Sequence, residues 1–90
     1  MALGLIFIGT GVTQAQYEQV RNEVAPGNKL LPGMLYHAAG PAQDGWRVVE
    51  TWESQEAADR FFKEKLGAAL QKDNITVQPE LFEVHNIMQP

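Results

Sequence analysis

Apolar and polar residues along this chain follow a strand-like pattern, then a helical one, and that alternation predicts six elements. Residues 2–9 are an apolar run in which Leu3, Leu5 and Phe7 fall on one side of an extended backbone and Ile6 and Ile8 on the other. Gly9-Thr10-Gly11 ends that strand. Thr13 then reads as a helix N-cap, with Gln16 completing a capping box and Val12 and Tyr17 placed to staple across the start. Tyr17, Val20 and Val24 recur on one helical face, and Pro26-Gly27 stops the helix. A second strand is expected over 34–39 and a third over 46–52, joined by turn-rich residues 40–45 as a hairpin. Ser54 caps a second helix, whose buried stripe is expected at Ala58, Phe61, Phe62, Lys65, Leu66 and Ala69. Residues 73–79 connect it to a last strand over 80–88.

The order β-α-β-β-α-β with right-handed crossovers predicts an α+β, ferredoxin-like arrangement: one domain over 1–90, a four-stranded antiparallel sheet with two helices on one face. Two helices shield one face, yet both faces carry apolar side chains. Trp46, Val48 and Trp52 oppose Val49 in the third strand, and Leu81 and Ile87 oppose Phe82, Val84 and Met88 in the fourth. The uncovered face reaches the several hundred Å² of apolar surface that monomers tolerate, and covering it is worth on the order of ten kcal/mol before association costs. A homodimer packing sheet on sheet is therefore expected.

Composition narrows the partners and the chemistry. The chain has 90 residues, a net charge of −4 and no basic stripe, so a nucleic-acid partner is not expected. No cysteine is present, which removes disulfides and thiolate chemistry and suits a cytoplasmic location. The apolar start lacks a basic leader and is too short to span a membrane, so no membrane partner is expected either. Gly9-Thr10-Gly11 starts like a dinucleotide fingerprint but lacks the third glycine, and no phosphate-loop lysine is present. Two histidines on separate strands are poor metal ligands, so neither a metal nor another cofactor is expected.

The stretches Leu35-Tyr36-His37-Ala38-Ala39-Gly40-Pro41 and Asp44-Gly45-Trp46-Arg47-Val48-Val49-Glu50-Thr51-Trp52-Glu53-Ser54 resemble small bacterial proteins of the dimeric α+β barrel superfamily, in particular the antibiotic biosynthesis monooxygenase-like (ABM-like) domains. The resemblance runs from the first strand to the ending Val84-His85-Asn86. It implies a dimeric α+β barrel with an apolar pocket per subunit, binding or oxidising a small aromatic or polyketide-like compound without a cofactor. Related barrels also include cofactor-free isomerases and lyases, and non-catalytic stress-related or structural dimers whose interior their own side chains fill. The family often carries a histidine on the second helix, where Phe61 stands here, so the resemblance does not extend to haem degradation.

The candidate catalytic residues are His37, in the hairpin, and His85, which on a continuous last strand shares a face with Glu83 and can be activated by it. Trp52, Tyr36 and Asn86 are candidates for substrate contact. His85 and Asn86 face opposite ways, so both line one cavity only if the strand bulges. Each also has a structural reading: Trp52 as a core indole, His37 as a satisfied buried histidine, His85 as an interface contact. Tyr17 reads as the helix staple, Glu50 as an interface polar group and Arg47 as a solvated strand end.

Overall fold

A computed structural model describes residues 1–90. Strand β1 spans Leu3–Thr10, helix α1 Gln14–Val24, β2 Met34–Ala42 and β3 Gly45–Trp52. A second helical rod follows as α2 (Gln55–Phe61), a π-helical stretch (Phe62–Leu66) and α3 (Gly67–Lys72), and β4 spans Gln78–Glu83. The strands form one antiparallel sheet in the order β2-β3-β1-β4, the ferredoxin-like topology expected. No helix is long and apolar enough to cross a membrane.

Both helix starts follow local chemistry. Gln16 N–H donates to Thr13 Oγ1 at 3.2 Å and Thr13 N–H to Gln16 Oε1 at 2.9 Å, the reciprocal box that satisfies two orphan donors. At α2, Ala57 N–H donates to Ser54 Oγ at 3.1 Å. The rod departs from the expected stripe: Ala58, Leu66 and Ala69 are buried, but Phe62 and Lys65 are exposed. The π turn inserts one residue, so Phe61 is followed on the inner face by Leu66, five positions on.

The hairpin is tighter than expected. β2 continues through Gly40-Pro41 to Ala42, leaving Gln43-Asp44 as a two-residue turn. Proline is tolerated there because β2 is an edge strand with one unpaired side. Gly45, at φ 151°, sits where the hairpin end crosses β1, and a Cβ there would overlap the backbone of Gly9.

The last strand starts earlier and stops sooner than expected, at Glu83 rather than Met88. β4 has one neighbour, β1, whose first paired residue is Leu3, opposite Glu83; a final bond joins Val84 N–H to the Ala2 carbonyl. Beyond it β1 offers no backbone to pair with. The His85–Glu83 pairing expected from a continuous strand is therefore not formed, and His85 and Asn86 stand exposed past its end.

The two faces of the sheet divide as alternation predicts. Leu3, Leu5, Phe7 and Trp52 pack with Val20, Val24, Ala57, Ala58, Leu66 and Ala69 beneath the helices. On the far face no helix covers Ile6, Ile8, Val49 or Phe82, and Val49 and Phe82 are 40% and 49% exposed. The outer edge of the Phe82 ring sits over Gly4, where a Cβ would overlap it.

Candidate functional site

Between α1, the helical rod and the inner face of the sheet lies a cavity of about 400 Å³, lined mostly by hydrophobic residues. Three of its polar side chains come together from three elements. Tyr17 arrives on the first turn of α1, oriented by the capping box; His37 comes from β2 and Glu50 from β3. Register makes His37 and Glu50 cross-strand partners, so both side chains project to the same inner face. A β-bulge between Met34 and Tyr36 sets the parity of His37.

These side chains form a continuous hydrogen-bonded chain. Trp52 Nε1–H donates to Glu50 Oε1 at 2.9 Å, Glu50 Oε2 lies 2.8 Å from His37 Nδ1, and His37 Nε2 lies 2.6 Å from the Tyr17 hydroxyl. Indole donates only and a carboxylate accepts only, so a neutral imidazole places its proton on Nδ1, toward Glu50, and accepts the Tyr17 O–H at Nε2. Tyr17 oxygen keeps its lone pairs free to accept a proton from a ligand. Glu50 is 4% exposed and His37 26%, so the chain runs from the core toward the cavity.

Burial pushes the Tyr17 phenol above its ordinary value; Arg21 one turn on pulls it down, and Glu50 and Glu18 push it up. At neutral pH Tyr17 is therefore a phenol and not a phenolate. Its ring packs between His37 at 6.0 Å and Trp46 at 5.4 Å, and the Trp46 indole N–H is buried there without an acceptor. Phe61 lines the cavity and stacks on Trp52 at 5.3 Å.

Of the residues singled out from sequence, His37 and Tyr36 line the cavity, Tyr36 at a rim where it is 57% exposed. Trp52 does not: it is fully buried behind Glu50, which it holds in place. His85 and Asn86 are exposed and outside the lining. Glu50 is a correction, a buried member of the hydrogen-bonded chain instead of an interface group. Alternation with Trp46, Val48 and Trp52 was the signal that placed it inside. Tyr17 packs as a helix-start aromatic but also carries the terminal hydroxyl. No group of three or more His, Cys, Asp or Glu side chains comes together as a metal-binding cluster.

No family model matches the chain, and no curated protein matches it in sequence. Solved structures do match in fold. SnoaB, a cofactor-independent oxygenase from Streptomyces nogalater, superposes with a TM-score of 0.67 at 15% identity, covering 99% of this chain and 97% of that one. A dimeric ferredoxin-like protein of unknown function from Thermobifida fusca gives 0.67 at 18% identity, covering 93% and 92%. The ActVA-Orf6 monooxygenase of Streptomyces coelicolor, solved with nanaomycin D, gives 0.56 at 18% identity, covering 99% and 91%. The chain thus has the ferredoxin-like α+β fold of these solved structures.

Proposed function

We propose that this protein binds a small aromatic compound carrying an acidic hydroxyl and oxidises it with molecular oxygen, without a metal or organic cofactor. The observation that carries the reading is the apolar cavity of about 400 Å³ into which the Tyr17–His37–Glu50 chain delivers its free end. A self-filled interior, as in a purely structural dimer, has no such space. The fold shared with SnoaB and ActVA-Orf6 supports the same chemistry.

In this reading the substrate hydroxyl lies against Tyr17. Its proton passes to the Tyr17 oxygen as the Tyr17 proton passes to His37 Nε2, and the imidazolium so formed rests against the Glu50 carboxylate. The phenolate left in an apolar cavity is electron-rich and reduces oxygen directly. One oxygen atom enters the ring as a quinone carbonyl and the other leaves as water, so a phenol and O₂ balance against a quinone and H₂O. The open sheet face and the dimeric relative support a homodimer, two sheets closing a barrel with one cavity per subunit.

Oxygen consumption with a dihydroxynaphthalene test substrate checks this. The wild type and His85→Ala should consume oxygen above the buffer rate, and Tyr17→Phe and His37→Ala should lose roughly 10²–10⁴-fold of the enzymatic rate. Substrate that binds in the cavity but is never oxidised would overturn the oxygenase reading. Conversion without oxygen uptake would instead assign the same proton relay to an isomerase or lyase.

A further inference from the structure

Three charged side chains line the cavity: Arg21, Lys29 and Glu50. Glu50 is committed to His37 and Trp52 and turned inward. The other two are cations, and neither forms an ion pair; the Lys and Arg ion pairs of the molecule are Arg47–Asp44 and Lys72–Glu23. Arg21 is half-buried and held by neutral acceptors only, Nη1 donating to the Ala25 carbonyl at 3.3 Å and Nη2 to Asn22 Oδ1 at 2.6 Å. A guanidinium has five N–H donors, so several remain free. Of the two acids on the same helix, Glu18 is exposed and accepts from Gln14, and Glu23 pairs with Lys72. In a chain of net charge −4, an apolar cavity whose uncommitted charges are both positive is a local reversal of sign.

We propose that Arg21, assisted by Lys29 at the mouth, forms an anion subsite of this cavity, and that the ligand is an aromatic compound bearing a carboxylate or similar acidic group. The inference rests on the cavity being a binding site for an aromatic compound. Arg21 lies one helical turn after Tyr17, both line the cavity, and the Arg21 charge reaches the Tyr17 phenol. A hydroxy-aromatic acid can therefore set its acid toward Arg21 while its reacting hydroxyl faces Tyr17. Desolvation by the apolar walls strengthens a charge-assisted bond there, and bidentate carboxylate geometry suits guanidinium.

Two fluorescent probes with one skeleton test it: 1-anilinonaphthalene-8-sulfonate, an anion, and N-phenyl-1-naphthylamine, which lacks the sulfonate. The wild type should bind the anion more tightly by roughly tenfold or more, and added salt should shrink that ratio. Arg21→Gln should bring the ratio close to one with little change in the neutral probe's affinity, and Lys29→Gln should lower it part of the way. Equal binding of both probes by the wild type, or a ratio indifferent to Arg21→Gln, would overturn the anion subsite while leaving the aromatic pocket standing. If neither probe binds, or if Leu31→Trp, which narrows the cavity, leaves both signals intact, the pocket reading itself fails and takes the subsite with it.

Discussion

At the scale of single residues, the site depends on a carboxylate buried where alternation permits only an inward direction. Glu50 satisfies two donors at once, the fully buried Trp52 indole and the His37 imidazole. Glu50→Ala strands both, at a cost of about 1–3 kcal/mol for each unsatisfied donor, so urea unfolding should show a loss of roughly 2–6 kcal/mol. Glu50→Gln is more informative. Its carbonyl still accepts from Trp52, while its amide N–H must donate to His37 Nδ1, which moves the imidazole proton to Nε2 and turns it toward Tyr17. Stability should stay within about 1 kcal/mol of wild type while oxygen consumption collapses, because the chain then points the wrong way. Tyr17 titration gives a second check. Its pKa is raised above 10.0 in the folded protein, mainly by burial, so the native state holds that proton more tightly than the unfolded chain does. The stability this contributes is complete below the unfolded value and falls away as pH rises through the folded one. Absorbance at 295 nm should show a late phenolate transition that Tyr17→Phe removes, with stability declining over the same alkaline range.

At the scale of elements, what sequence reveals depends on whether the cause is local. The capping box of α1, the Ser54 cap of α2, the helix stop at Pro26-Gly27 and the two faces of β1 and β3 follow from neighbours a few residues away, and the structure has them as expected. Three features have causes elsewhere in the chain. β4 ends at Glu83 because β1 runs out, although Val84, Ile87 and Met88 continue a plausible strand pattern. The π turn lets Phe61 and Leu66, five residues apart, both face the cavity, whereas a regular 3.6-residue period read from sequence puts Phe62 and Lys65 in the buried stripe. His37 was recognisable as a candidate, yet its partners come from α1 and β3 and only the folded register unites them. Sequence therefore exposed one member of the site and the parity of a second, while the cations at Arg21 and Lys29 gained meaning only once the helix and its following loop enclosed a cavity.

At the scale of the whole molecule, the open face of the sheet is the largest unresolved imbalance. Ile6 and Val49 are cross-strand partners on the two central strands, with Ile8 and Phe82 flanking them, and no helix reaches this side. The Phe82 ring occupies the space over Gly4, which carries the apolar face across β1 and β4 for a second sheet to cover. Around a two-fold axis each residue near the centre meets the same patch of the other copy, so one substitution acts twice. Sedimentation of the wild type should give twice the 10.0 kDa chain mass at micromolar concentration. Val49→Lys would bring two ammonium groups into one apolar interface and should shift the protein to a 10.0 kDa species. Thermal stability of the wild type should rise with protein concentration, since the partner stabilises the native state by mass action, and that dependence should vanish in the lysine variant. A wild type that sediments as a monomer, with a melting temperature indifferent to concentration, would mean that this plane stays in contact with water and that each cavity works alone.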